Sequence, residues 1–323
     1  MLTACGANAP YAGLAPALAR DEAPDTTSVL VMRDGAIVHE AYFRGATAAT
    51  LHDTRSATKS ITALAVGAAL GAGLLPSLDA PAFAYLGGAP DDPRKQAITI
   101  ADLLTMSSAL DCDDDVMDSP GNEENMYPQS SWLRWALAIP TRADYARDAA
   151  GRGPFHYCTA GVFLLGQVLQ AAAGTPVDQL VAKHLFAPLG ITQYEFSRSP
   201  SGEVMTGGGL RLRTRDLAAL AELVRTGGRG LVPADFVRAA LTVQRPAHPG
   251  QDYGYLLWHR TYETRCGAYE GWFMGGNGGN VIAIIPQLSA VIVVTRTHYN
   301  MRGMHQQTTR LLETQLLPAL ACP

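Results

Sequence analysis

Ser56-Ala57-Thr58-Lys59 sets a hydroxyl and an amine three residues apart, just ahead of a stretch, 60–78, that carries no charge. On a helix, positions i and i+3 share a face, so Lys59 can lie beside Ser56 and lower the cost of forming an alkoxide. Unpaired N–H groups of a first turn add a field that favours negative charge as Ser56 attacks a carbonyl. The same four residues also read as a helix start whose N-cap is Ser, and the motif alone does not choose. Tyr157-Cys158-Thr159 follows the loop Gly151-Arg152-Gly153-Pro154 and precedes the apolar positions Val162, Leu164, Leu165 and Leu169, which presents a phenol at a helix entrance. A ring packed with its hydroxyl in water is the alternative. Gly275-Gly276-Asn277-Gly278-Gly279-Asn280 runs into an apolar strand at 281–285. Glycines there either admit a ligand or second backbone at close range or make a hairpin turn.

The elements around these residues follow from periodicity and breakers. After a tail rich in Ala and Pro, runs 28–32 and 36–42 flank Asp34-Gly35 and predict a β-hairpin. A long Ala-rich helix is expected from Ser56 to about Gly73, with Pro76 beyond it. Helices are expected at 100–106 behind Thr99, 132–138, 160–173, 177–186, 214–225 and, behind Pro233, 234–241. Then the period changes, and apolar, β-branched or aromatic runs at 253–262, 269–274, 281–285 and 290–295 predict an antiparallel sheet, with a closing helix at 311–317. The fold class is α+β: an antiparallel sheet flanked by helices with an inserted all-helical lobe. Residues 1–75 and 193–323 form a discontinuous sheet domain, and 76–192 the helical insertion lobe.

Composition narrows the chemistry. The chain has 323 residues, 47% hydrophobic and 17% charged, with a formal net charge of −4. That is a globular profile without the basic field that neutralises phosphates, so nucleic acid is excluded as a partner and a small ligand fits better. The uncharged stretch 60–78 approaches the length of a membrane span, but Ala and Gly dominate it and Pro76 interrupts it, so a buried helix is expected and no membrane span. Five cysteines show no C-x-x-C and no His pair at zinc spacing, so no structural metal is expected. Asp111, Asp113, Asp114 and Asp115 lack the Gly and distal Glu of a calcium loop and read as a solvated acidic loop. Neither a Gly-x-Ser-x-Gly elbow nor a nucleotide-binding fingerprint occurs, and no cofactor is expected.

Four stretches, in order, carry a family resemblance: Arg55-Ser56-Ala57-Thr58-Lys59-Ser60, Leu103-Leu104-Thr105-Met106-Ser107-Ser108-Ala109-Leu110, Tyr157-Cys158-Thr159-Ala160-Gly161-Val162-Phe163-Leu164-Leu165-Gly166, and Gly207-Gly208-Gly209-Leu210-Arg211-Leu212-Arg213-Thr214-Arg215-Asp216-Leu217. With the glycine-rich third motif they resemble the serine hydrolases of the β-lactamase and penicillin-binding-protein superfamily, in its class C-like branch of esterases, D-aminopeptidases and carboxypeptidases. The resemblance covers nearly the whole chain. It implies a β-lactamase/transpeptidase-like fold, Ser56 as acyl-forming nucleophile, and Lys59 and Tyr157 as the proton-handling pair. It also implies that the third motif, Asn277-Gly278-Gly279, is an edge strand beside the acyl site, and that the oxyanion hole uses the backbone N–H groups of Ser56 and Asn280.

Two departures bear on substrate. Thr159 stands where the family has Asn; it can hydrogen-bond but lacks the amide's reach. Asn277 stands where β-lactamases have Lys, which removes the cation expected to hold a β-lactam or terminal peptide carboxylate, with Arg296 and His298 as stand-ins. The resemblance therefore implies an acyl-serine hydrolase of ester, amide or peptide substrates, esterase-like or D-amino-acid-peptidase-like rather than an efficient β-lactamase. The alternative is a non-catalytic penicillin-binding-type binding or sensor module on the same fold.

Leu2-Thr3-Ala4-Cys5-Gly6 looks like the end of a bacterial lipoprotein signal without the regions that precede one. A lipid anchor at Cys5, which implies the periplasm or cell envelope, and a chance match in a loose tail, which leaves the cytoplasm open, both stand. In the family fold the segment 107–111 leads towards the active-site cleft. This suggests a Cys112–Cys158 disulfide in an oxidising compartment, against two separate buried thiols. Cys5, Cys266 and Cys322 are expected to be poorer partners. Of the aromatic residues Tyr127, Trp132, Trp135, Trp258 and Trp272, core packing is the default, with a cleft wall as the alternative.

Overall fold

The computed structural model describes residues 10–20, 22–87 and 91–322, so Cys5 lies outside the described residues. Strands β1 (Thr26–Arg33) and β2 (Ala36–Tyr42) form the expected hairpin, with Asp34 at φ 51° and Gly35 at φ 81° in its turn. A two-residue pair, β3 (His52–Asp53) and β4 (Arg211–Leu212), sits apart from the main sheet. The other strands are β5 (Arg245–His248), β6 (Gln251–Tyr253), β7 (Trp258–Thr264), β8 (Gly267–Gly276), β9 (Asn280–Ile285) and β10 (Ala290–Arg296). The main sheet has eight strands in the order β2-β1-β10-β9-β8-β7-β6-β5, each pair antiparallel. The N-terminal hairpin thus adds to the C-terminal strands and closes one sheet from the two ends of the chain.

β9 and β10 are buried at every position, which is why their sequences are continuous apolar runs rather than alternating ones. Their side chains still alternate between faces. Leu30, Ile282, Ile284, Val291 and Val293 join the core that holds Ile61, Leu64, Leu217 and Leu220. Val29, Val31, Ala283, Ile285, Ile292 and Val294 join a second core with Leu311, Leu312, Leu316 and Leu317. The sheet is therefore the middle layer, with the helices Thr58–Gly71 and Thr214–Arg225 on one side and the C-terminal helix on the other.

Thr58–Gly71 is buried from Thr58 through Ala69, which accounts for the absence of charge after Lys59. No single helix among the described residues is long and apolar enough to cross a membrane; one bent pair, Thr159–Ala173 with Val177–Leu189, passes by length and composition only. The described residues of 76–192 supply no strand of the eight-stranded sheet. The helix expected behind Thr99 begins there, with Thr99 and Asp102 forming a reciprocal capping box for Ile100–Leu104, and the structure adds Ser131 as the cap of Trp132–Ala138.

Three expectations are corrected. The run at 253–262 is two strands, because Gly254 abuts the Ala240 carbonyl, where a Cβ would lie 2.1 Å away, and Leu256 adopts φ 53°. The closing helix starts earlier, at Met304–Leu311, and continues through a widened turn to Leu317–Ala321. That length carries Cys322 to the β7–β8 turn, where it is disulfide-bonded to Cys266 with Cα atoms 6.1 Å apart.

Gly67 is the tightest point of the buried helix, where a Cβ would stand 2.6 Å from Val232 Cγ1 and 2.8 Å from Phe236 Cδ1. Gly67→Ala gains about 1 kcal/mol of helix propensity but overpacks this contact at a cost of about 1–3 kcal/mol. The expected result in denaturant unfolding is a net loss of about 1 kcal/mol, whereas a stabilised variant would show that the two elements separate freely.

Candidate active site

Ser56 lies in a single tight turn, Arg55–Ala57, immediately before the helix Thr58–Gly71. Neither segment has a side-chain capping bond, so Ser56 is not spent as an N-cap. Arg55 has φ 49°, a costly conformation for a residue with a Cβ, and it is held there from several sides. Its N–H donates to Asp53 Oδ1 at 2.9 Å, its guanidinium sits 4.2 Å from the Tyr299 ring centroid, and its carbonyl accepts from Thr58 Oγ1 at 2.7 Å. Thr54 Oγ1 donates to the Leu210 carbonyl at 2.6 Å, tying the turn to the Gly207–Leu210 segment.

Lys59 is 1% exposed. Its Nζ donates to Ser56 Oγ at 3.1 Å and to the Gly207 carbonyl at 2.6 Å, and lies 4.9 Å from the Tyr157 ring centroid. Burial pushes the Tyr157 phenol up, while Lys59 and a hydrogen bond with Ser56 pull it back down. Ser56, Lys59 and Tyr157, separated by up to 101 residues, are thus brought together, with Lys59 bonded to Ser56 and its charge beside the Tyr157 ring.

What holds Tyr157 there is a clamp from the acidic loop. Cys112 and Cys158 are disulfide-bonded with Cα atoms 5.4 Å apart. Two residues on, the Asp114 N–H donates to the Tyr157 carbonyl at 2.7 Å, and the Thr159 N–H donates to Asp114 Oδ2 at 2.7 Å. Asp114 Oδ1 accepts from the Glu123 N–H at 2.8 Å. Burial raises the Asp114 carboxyl to about 6, against the pull of nearby Lys59. The expectation of a solvated acidic loop is therefore corrected: Asp113 pairs with His156 at 2.9 Å, Asp111 lies 3.7 Å from Arg142, and Asp114 lines the site. The signal that could have located Asp114 was its spacing of two from Cys112, once Cys112 is joined to Cys158.

The third motif is displaced from its expected position. β7 begins at Trp258, opposite Phe273, so Met274, Gly275 and Gly276 pair with β9 alone and leave a short free edge. That edge packs on the Ser56 turn: a Cβ on Gly276 would lie 2.2 Å from the Thr54 carbonyl and 3.2 Å from Ala57 N. Gly275, Gly276 and Asn277 reach the cleft with Ser56. Asn280 does not; it is 1% exposed, its amide donates to the Asn277 carbonyl at 2.8 Å, and its Oδ1 accepts from Arg296 N at 3.0 Å. Gly278 and Gly279, at φ 88° and 85°, make the turn under the C-terminal helix rather than the cleft. Thr159 is fully buried, with its methyl against Gly207 and its hydroxyl unpartnered, so it also stays out of the cleft. Arg296 and His298 are equally committed elsewhere: the guanidinium donates to Pro24, Met304, Gln307 and Thr308, and His298 pairs with Asp25 at 2.9 Å.

The cleft above Ser56 has a volume of about 590 Å³. One wall is aromatic, with Trp258 stacked on Tyr157 at 5.6 Å and on His248 at 5.5 Å. Of the other aromatic candidates, Trp132 and Trp272 are buried in the core, and Tyr127 stands on the surface with its hydroxyl donating to Glu123. Asp114, Asp115 and Glu123 line the cleft, and so does Arg260.

Comparison with known proteins places this geometry. A family model described as Beta-lactamase matches residues 18–315. A 6-aminohexanoate-dimer hydrolase of Paenarthrobacter ureafaciens is 24% identical over 213 residues, 63% of this chain and 53% of the relative, so the match spans about half the length of that protein. Among solved structures, a D-stereospecific amidohydrolase from Streptomyces sp. superposes with a TM-score of 0.69 at 19% identity, covering 94% of this chain and 97% of the other. A penicillin-binding protein from Bacillus halodurans gives 0.65 at 19% identity, covering 89% and 95%. At such identities the structural likeness is one of fold.

The Asp114 environment has a consequence for pH. With about 6 in the folded state and about 3.9 in the unfolded chain, the fold binds this proton more tightly, so the contribution of Asp114 to stability is greatest below about pH 4 and falls as pH rises through about 6. Because the carboxyl is partly solvated, the free energy of unfolding of the wild type relative to Asp114→Asn is expected to drop by about 1–2 kcal/mol between about pH 4 and pH 7, whatever their offset. A flat difference would mean an unperturbed carboxyl, and a rising one a carboxyl held below its unfolded pKa.

Proposed function

This chain belongs to the beta-lactamase family, and from that premise we propose that it is a serine hydrolase that cleaves ester or amide bonds through an acyl-enzyme on Ser56. The observation that carries the proposal is the buried Lys59 nitrogen donating to Ser56 Oγ at 3.1 Å and lying 4.9 Å from the centroid of the Tyr157 ring. In the reaction, the Ser56 proton passes to the Tyr157–Lys59 pair as Oγ attacks the carbonyl carbon. The carbonyl oxygen takes up charge against the Ser56 N–H and the free backbone edge at Gly276 and Asn277. Collapse of this intermediate breaks the bond to the leaving group, which departs with the proton held by the pair. Water then attacks the acyl-serine, giving a proton to the same pair and restoring Ser56.

The substrate reading is an ester or an amide of esterase or D-amino-acid-peptidase type rather than a β-lactam. Asn277 at the cleft, with Arg296 and His298 engaged elsewhere, favours it by leaving, among the described residues, no cation beside the scissile bond on the strand side. The names of two similar proteins, a 6-aminohexanoate-dimer hydrolase and a D-stereospecific amidohydrolase, favour amides among the substrates. The same proposal puts the mature chain in an oxidising compartment such as the periplasm, where the disulfides Cys112–Cys158 and Cys266–Cys322 persist.

Turnover of p-nitrophenyl butyrate tests the mechanism. Ser56→Ala is expected to abolish it, and Lys59→Ala to reduce kcat/KM by about 10²–10⁴-fold, the usual worth of a positioned proton-transfer group. Lys59→Arg should not restore it, because a guanidinium stays protonated. Tyr157→Phe should slow acylation at unchanged melting temperature; an equal loss of stability and rate would assign Tyr157 to packing instead. In a substrate panel, short esters are expected to outrun nitrocefin, and the reverse order would overturn the argument from Asn277.

A further inference from the structure

We propose that Arg260 forms the far end of the substrate site and takes the terminal carboxylate of an ester or amide whose apolar chain lies along the cleft between Arg260 and Ser56. The inference rests on the acyl-serine reading above and names the substrate class for that site. Directly paired residues of antiparallel strands face the same side, so Gly275, Phe273 and Gly271 on β8 share a face with Trp258 and Arg260 on β7, through the pairs Trp258 with Phe273 and Arg260 with Gly271. From Gly275, which lines the cleft with Ser56, to the level of Arg260 is four residues of strand, about 13 Å. The wall over that distance is apolar: Trp258, Phe273, Val281 and Leu312 all line the cleft. A carboxylate held there lies well away from the scissile carbonyl, unlike one adjacent to it.

The charge on Arg260 is unanswered by the protein. Among the described residues it has no carboxylate within ion-pair distance; Nη1 donates to Thr309 Oγ1 at 2.9 Å, and Nε is buried without an acceptor. Its stem is fixed by that bond and by the Tyr262 ring, 5.4 Å from the guanidinium carbon, so the group is held in place at the cleft. It is the single Lys or Arg lining the cleft among the described residues, while the acids there, Asp114, Asp115 and Glu123, all come from the loop on the helical side. A carboxylate is repelled by that loop and accepted at Arg260, which fixes which end of the ligand points away from it.

The test compares matched esters within each protein. In one pair, mono-p-nitrophenyl adipate is set against its methyl ester, which puts the charge on the acyl side. In the other, para-butyryloxybenzoate is set against its methyl ester, which puts it on the leaving group. The expected result at low salt is a charged-to-neutral ratio of kcat/KM of about ten or more in at least one pair, the scale of one charge-assisted hydrogen bond, falling with added NaCl. In Arg260→Gln the ratio should fall towards one, and Arg260→Lys should keep part of it. Should Arg260→Gln fail to fold, the wild-type ratio and its salt dependence decide. A ratio near one in both pairs for the wild type, or a high ratio that survives in Arg260→Gln, overturns the subsite and leaves the serine-hydrolase reading intact. Turnover of none of the four esters overturns both.

Discussion

The rest of the site depends on a lysine, Lys59, that is only 1% exposed. An amino group removed from water must find acceptors or cost several kcal/mol. Those acceptors cannot come from the helix that carries Lys59, whose carbonyls are already bonded along its length. They come instead from Ser56 Oγ in the preceding turn and from the Gly207 carbonyl, 148 residues further on. The same demand explains the glycine at 207: a Cβ there would lie 2.7 Å from the Thr159 methyl, so only a bare backbone lets this segment close over the lysine while the Tyr157 helix packs beside it.

A second close approach fixes the opposite wall. The end of β8 outruns β7, so its last residues have hydrogen-bonding groups free on one side, and it meets the Ser56 turn at Gly276 with no room for a side chain. The strained φ of Arg55 belongs to this arrangement, because the turn must deliver Ser56 to that edge and Lys59 to the interior within five residues. The third wall is assembled rather than folded locally: the Cys112–Cys158 disulfide and the Asp114 hydrogen bonds bring a loop and a helix start together, so the phenol of Tyr157 faces Ser56.

Much of this was legible in the amino-acid sequence. Ser56, Lys59 and Tyr157 stand out because helical spacing and the resemblance point to the same residues. The hairpin around Asp34-Gly35, the helix behind Thr99, the helix at 132–138, and the apolar strands β9 and β10 were legible because local chemistry and burial agree there. The glycine-rich motif was seen but misplaced. A run of glycines says that a backbone must pass close to something; which glycine does so depends on register, and the pairing of Gly276 with Asn280 puts the contact at Gly276 and turns Asn280 inward.

The sequence by itself determined the elements that rest on near neighbours: period, caps, turns, and a serine and lysine on one helical face. Tertiary structure alone decided what depends on distant partners. It made Asp114 a cleft carboxyl with a raised pKa rather than one of several loop acids, because desolvation is set by what packs on the loop and not by its composition. It committed Arg296 to the C-terminal helix and left Arg260 at the cleft, although nothing adjacent in the chain distinguishes the two arginines. It also joined Cys266 to Cys322 across 56 residues, since the path of the closing helix, and not proximity in sequence, brings those thiols together.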